Sequence, residues 1–86
     1  NNLAMAALAQ GDLVAAWAHA VNALQLSAEL PLLWVNLGAI YRQTGQLDAV
    51  EWALLQALER DNSERSALNN LALLYDQAGR LTERDA

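Results

Sequence analysis

The sequence contains no cysteine, no lysine and no phenylalanine, and only one proline. Without cysteine the chain can form neither a disulfide nor a catalytic thiolate, although this absence does not assign a compartment. Basic side chains are scarce: five arginines face ten acidic residues, and a net charge of −5 argues against nucleic-acid binding. The use of Arg to the exclusion of Lys is typical of a GC-rich genome and hints at a bacterial source. The acidic balance weakly favours basic partners.

Long apolar runs and catalytic motifs are also missing. No stretch of 18 uninterrupted apolar residues occurs, so we expect no membrane span. The chain lacks a glycine-rich phosphate loop, a nucleophile–histidine arrangement and metal-ligand spacing, so we expect no catalytic residue, metal or cofactor. His19, the only histidine, is predicted to be structural or solvent-facing. The opening Asn1 lacks a preceding Met, and we expect the chain to be a fragment of a larger protein.

The most informative feature of the sequence is an internal repeat. Ala and Leu make up more than two-fifths of its residues, which favours helices. Three kinds of marker recur every 34 residues, and they are Gly11, Gly45 and Gly79; Leu13, Leu47 and Leu81; and Asn2, Asn36 and Asn70, each followed by Leu. A period of 34 residues is typical of a helix-turn-helix unit.

Helix boundaries follow from capping and breaking residues. We predict helices over about 2–9, 13–26, 31–43, 47–60 and 64–78, turns at the glycines and around Asn62, and a sixth helix starting at Leu81. Pro31 suits a first helical turn, and Ser63 is expected to cap the fifth helix. Trp17 is expected to face inward together with Ala16 and Ala20. Because the loops are short, successive helices should be antiparallel neighbours.

The middle unit reads Trp34-x-x-Leu37-Gly38-x-x-Tyr41 followed by Gly45, and it resembles the tetratricopeptide repeat. Gly38 is expected to leave room for a closely approaching helix. Asn62 stands where the family has its closing Pro, and Val50 and Leu54 replace the usual Ala and aromatic residue. The resemblance implies an all-α fold of antiparallel helix-turn-helix repeats, stacked as a right-handed α-solenoid. It divides the chain into a partial repeat 1–30, a complete repeat 31–64 and a partial repeat 65–86.

The resemblance also implies a concave groove that binds a protein or an extended peptide. Some family members place a ladder of asparagines there, and a carboxamide supplies the donor and the acceptor that a peptide group needs. Equally, these asparagines could bond within their repeat or to water. We expect Val35, Ala39 and Asp76 in the groove, and the residues predicted to bind are Asn36, Asn70, Arg42, Gln43, Asn69, Leu73 and Gln77. The set with which some members clamp a terminal carboxylate is absent.

Trp52 and Leu55 occupy positions of the fourth helix that are usually polar in the family. They indicate either a contact with another domain or subunit or a small helix rotation that buries Trp52, and the second interpretation is favoured. A protein-interaction scaffold is the predicted function. Self-association through exposed terminal helices, and a non-catalytic repeat region of a larger enzyme, remain alternatives.

Overall fold

The computed structural model describes the backbone of residues 3–85 and the side chains of residues 3–79, and within these bounds the chain is helical without a strand. Its five helices are α1 (Leu3–Ala9), α2 (Leu13–Ser27), α3 (Pro31–Gln43), α4 (Leu47–Arg60) and α5 (Arg65–Asp85). The predicted all-α fold is confirmed, and the bounds of α3 and α4 agree with the sequence prediction. Pro31 begins α3, where its missing N–H is not needed by the helix.

Two glycines reverse the chain by the same hydrogen-bond pattern. Gly45 has a φ of +76°, its amide donates to the Arg42 carbonyl at 3.1 Å, and the next amide, of Gln46, donates to the Tyr41 carbonyl at 3.0 Å. The pattern recurs at Gly11, whose φ is +81°. This is the Schellman motif, which satisfies the last carbonyl groups of a helix and requires a left-handed residue. Both turns lie where the repeat predicts them.

The predicted turn at Gly79 and the sixth helix at Leu81 are wrong, because α5 runs without interruption from Arg65 to Asp85. Gly79 is not among the glycines with positive φ. A reversal loses helical hydrogen bonds and is favourable only when the following segment packs back on the preceding helix. The residues after Gly79 include one large apolar side chain, that of Leu81, so such packing would bury little.

Ser63 does not cap α5 either. Its hydroxyl and its amide both donate to the Asp61 carboxylate, at 2.8 and 3.0 Å, and these two bonds hold the pKa of Asp61 below its usual value. The cap comes instead from Glu64, whose carboxylate accepts from the Ser66 amide at 3.1 Å. Ser63 therefore tightens the loop between α4 and α5, and the helix starts one residue later than predicted.

Packing is asymmetric between odd- and even-numbered helices. Each helix contacts the next along the chain, and α3 also contacts both α1 and α5, whereas α2 and α4 do not approach each other. One buried cluster consists mainly of branched aliphatic side chains, and its members are Val35, Val50, Leu54, Ala57, Ala67, Leu71 and Leu74. The other is mainly alanine, with Ala4, Ala16, Ala20, Leu37, Ile40 and Ala53. Trp34 and Tyr41 pack against both clusters.

Gly38 faces α4. A Cβ atom at this position would lie 3.4 Å from Leu54 Cδ2 and 3.7 Å from Ala53 Cβ, both of which belong to α4. A methyl group at this position would therefore make ordinary van der Waals contact with α4, so the close approach expected from the sequence does not exclude a small side chain. The right-handed stacking of repeats and the division of the chain into partial and complete units stay predictions.

Trp17 departs from its predicted inward position and is 47% exposed. The neighbouring residues Ala16 and Ala20 are buried as expected. The residue one repeat later than Trp17 is Glu51, a polar residue, so the 34-residue register indicates an outward position. Periodicity within α2 alone had grouped Trp17 with the core because it is apolar.

Candidate functional site

The candidate site is a pocket of about 210 Å³ that is lined by residues of α1, α3, α4 and α5 and is called here the groove pocket. Arg42 and Gln43 from the last turn of α3 and Asn70 from α5 supply its polar groups. Its apolar lining is Leu8, Val35, Gly38, Ala39, Val50 and Leu54. The structure therefore brings together three of the seven residues predicted to bind.

Arg42 and Asn70 connect α3 to α5 across this groove pocket. A guanidinium nitrogen of Arg42, Nη1, donates to the Asn70 carboxamide oxygen at 3.4 Å. The distance is at the long end for a hydrogen bond, so the contact is easily exchanged. A guanidinium has five N–H donors, and a carboxamide has two in addition to its oxygen. Arg42 is exposed and Asn70 half-buried, so both can present polar groups to an incoming chain.

Asn36 lies elsewhere. It is only 8% exposed and lines a separate pocket of about 230 Å³ between α1, α2 and α3. The two pockets are related by the repeat, because Ala4, Ala20 and Asn36 of the first correspond to Gly38, Leu54 and Asn70 of the second. Asn36 and Asn70 thus occupy equivalent places one repeat apart, in neighbouring pockets. Asn2, the first member of the series, lies outside the described residues.

The other predicted groove residues divide between surface and core. Asn69, Leu73 and Gln77 are exposed and follow one line along α5, four residues apart, but they are not among the residues lining the groove pocket. Asp76 is exposed as well. Val35, expected in the groove, is buried in the aliphatic cluster and forms the floor of the pocket.

Nothing in the described part of the chain is arranged as a metal centre, since no three His, Cys, Asp or Glu side chains there lie close enough to hold an ion. None of the described helices combines the length and the apolar content needed to cross a membrane. His19 is exposed on α2.

Comparison with known families decides the nature of the central unit. Residues 32–64, which cover nearly all of α3 and all of α4, match the family model described as tetratricopeptide repeat. This segment is a tetratricopeptide repeat. The resemblance is confirmed for the central unit, and a general role in protein–protein interaction follows from the family, whose members are typically non-catalytic scaffolds. No curated protein matches the chain in sequence.

The second helix of the tetratricopeptide repeat, α4, contradicts the favoured interpretation of Trp52. This side chain is 48% exposed rather than buried, and its indole stands edge-on to that of Trp34, with ring centroids 5.4 Å apart. The guanidinium of Arg60 lies over the Trp34 ring, 4.5 Å from its centroid. Both Trp34 Nε1 and Arg60 Nε donate to the Ala28 carbonyl, at 2.8 and 2.6 Å.

The tetratricopeptide repeat is also tied to α5 by a polar contact that sequence reasoning missed. The Tyr75 hydroxyl donates to a Glu51 carboxylate oxygen at 2.7 Å, which raises the pKa of Tyr75 above its ordinary value. The 34-residue register contained a signal for this contact. Tyr75 is the counterpart of Tyr41, and Glu51 is the counterpart of Trp17. Glu51 therefore stands to Tyr75 as Trp17 stands to Tyr41. A tyrosine–carboxylate pair across adjacent helices could have been inferred from that alignment.

Proposed function

We propose that the chain is a protein-interaction module that binds an extended segment of a partner protein in the groove along α1, α3 and α5. The observation that carries this proposal is the convergence of Arg42, Gln43 and Asn70 on one pocket with an apolar floor. Peptide groups need both donors and acceptors, which these side chains supply, while the apolar floor accommodates a side chain of the partner.

Burial decides which asparagine of the series can serve a bound peptide. Asn36 and Asn70 are equivalent positions of consecutive repeats, but Asn36 is only 8% exposed and lies in a separate pocket, whereas Asn70 lines the groove pocket. Asn70 is therefore the asparagine that offers its carboxamide to the peptide. The acidic net charge favours a peptide with basic residues at its ends, outside the immediate reach of Arg42.

The test starts from peptides selected for binding to the chain from a random display library. The affinity of the tightest peptide is then measured for the wild type, for Arg42→Ala and for Asn70→Ala. Each substitution removes a hydrogen-bonding group, and loss of a charged one costs about 1.5–3 kcal/mol, or about 10- to 150-fold in Kd.

Arg65→Ala is the matched control, because Arg65 is an exposed arginine of α5 that does not line the pocket. Circular dichroism checks that each variant keeps its helices. A peptide that binds wild type, Arg42→Ala and Asn70→Ala equally well refutes the proposed groove.

Self-association is the second candidate, and it rests on α5. Leu68, Leu73 and Tyr75 each leave about half of their surface exposed on this helix. Covering such apolar area is favourable by about 25 cal/mol per Å². Light scattering over a concentration series tests this candidate, and a strictly monomeric, folded chain at high concentration refutes it. Membership in a larger enzyme stays a prediction.

A further inference from the structure

The exposed face of α4 carries a narrow seam that the groove does not use. Four residues form it, at intervals of four, three and four positions: Asp48, Trp52, Leu55 and Glu59. All four are exposed, and none lines the groove pocket. The opposite face of the same helix is buried through Val50, Ala53, Leu54 and Ala57. We name the four exposed residues the α4 seam.

The spacing of the α4 seam is that of a coiled-coil contact line. Alternate steps of three and four residues keep side chains on one stripe of a helix, and such a stripe packs against a second helix by knobs-into-holes contacts. With a rise of 1.5 Å per residue, the seam is about 16 Å long, which corresponds to about one and a half heptads of a partner. Single exposed apolar residues are ordinary, but two of them in this register, with a charge at each end, define a docking line.

Trp52 is held in place although it is exposed. Its edge-to-face contact with Trp34 is supported in turn by Arg60, which stacks on Trp34 and bonds the Ala28 carbonyl. Ordering a side chain on association costs about 0.5–1.5 kcal/mol, and a side chain that is already fixed avoids much of that cost. Tryptophan is also the residue type most enriched among binding hot spots.

The charges at both ends of the seam are negative. Neither Asp48 nor Glu59 forms a salt bridge or a side-chain hydrogen bond with another residue in the part of the chain whose side chains are described. The nearest cation along the helix, Arg60, is occupied by the Ala28 and Gln56 oxygen atoms. With a net charge of −5 on the whole chain, an anionic lipid surface would be repelled and a basic partner attracted.

We propose that the α4 seam docks a basic amphipathic helix of a partner protein, in which two apolar residues are flanked by basic ones at the same intervals of four, three and four. This surface is distinct from the groove, so the chain binds two partner segments at once. The contact is a helix on a helix rather than an extended peptide.

The probe is a designed alanine-based helical peptide that carries Lys, Leu, Leu and Lys at these intervals. Its analogue carries Glu in place of both Lys. Binding of each to the 86-residue chain is measured by fluorescence anisotropy at low and high salt, with phosphatidylserine vesicles as a third arm. We expect the Lys peptide to bind at least about tenfold more tightly than the Glu peptide at low salt, and this preference to shrink as salt screens the charges.

Two variants separate a specific seam from general charge attraction. Trp52→Ala should weaken the Lys peptide by about tenfold or more, whereas Trp17→Ala, which removes an exposed tryptophan of α2, should leave it unchanged. The double variant Asp48→Lys with Glu59→Lys should reverse the preference toward the Glu peptide. Equal binding of both peptides, an unchanged preference in the double variant, or binding of the vesicles in place of the peptides overturns the proposal.

Discussion

Two glycines of the tetratricopeptide repeat, seven residues apart, should respond in opposite directions to the same substitution. Gly38 lies inside α3, whereas Gly45 lies in the turn that follows it. We expect Gly38→Ala to stabilise the fold and Gly45→Ala to destabilise it. The two substitutions add the same methyl group, so a difference between their effects on stability reports the backbone conformation at each position.

The magnitudes follow from the geometry. At Gly38 the new Cβ meets Leu54 Cδ2 at 3.4 Å, an ordinary contact, so the helical preference of Ala over Gly, about 0.5–1 kcal/mol, is retained. At Gly45 the φ of +76° costs Ala about 1–2 kcal/mol, against a gain of about 0.4–1 kcal/mol from a less flexible unfolded chain. The repeat itself supports the first estimate, since Ala4 and Ala72 stand one repeat before and after Gly38.

Thermal and urea unfolding followed by circular dichroism measure both effects. A change of 1 kcal/mol shifts the Tm of a domain of this size by about 4–8 °C, so the two variants should differ by roughly 5–15 °C. If Gly38→Ala lowers the free energy of unfolding by more than about 1 kcal/mol, then α3 and α4 are closer than described, and the reasoning fails. If Gly45→Ala raises the free energy of unfolding, the left-handed turn is not required there.

Two further predictions concern α5. Tyr75 should ionise at a higher pH than a free tyrosine, because its hydroxyl donates to the Glu51 carboxylate; the stabilisation from this bond is present below about pH 10 and is lost as pH rises through the raised pKa. Absorbance titration in a Tyr41→Phe background, with and without Glu51→Ala, measures the shift, and identical titrations contradict it. Gly79→Ala should increase helical circular dichroism, because no atom lies within 4 Å of the added Cβ and the helix is continuous there; decreased helicity would instead indicate a turn at Gly79.

Sequence alone predicts those features of the fold that depend on local signals. Pro31 at a first turn and Gly45 in a left-handed turn define α3 from both ends, so its bounds could be read directly. Gly79 shows that a local signal alone is not sufficient to predict a turn, because α5 continues through it. A Schellman turn needs a glycine and also a following helix that packs back, and only the first requirement is visible in a single residue.

The candidate site divides in the same way. Arg42 and Gln43 are adjacent in α3, and the 34-residue register places Asn70 beside them, so their convergence could be predicted. The burial of Asn36 could not be predicted, because it depends on how closely α1 and α2 approach α3 through the small side chains of Ala4 and Ala20. Trp17 and Trp52 are exposed although they are apolar, because the register of the repeat indicates an outward position more reliably than the apolar character of one side chain indicates an inward one.

The alanine-rich cluster has a consequence for how the molecule opens. The buried side chains that α1 and α2 contribute are Ala4, Ala16 and Ala20, with Met5, Leu8 and Leu24 only partly buried, whereas the buried side chains of α4 and α5 include Leu and Val as well. Each buried CH₂ group is worth about 0.8 kcal/mol, so detaching the first two helices costs less than separating the last two. We therefore expect the α1–α2 hairpin to form a unit of lower stability than the rest of the fold. Its amide protons should exchange with solvent through partial opening while α3 and α4 remain folded, and the pocket that contains Asn36 should open with them.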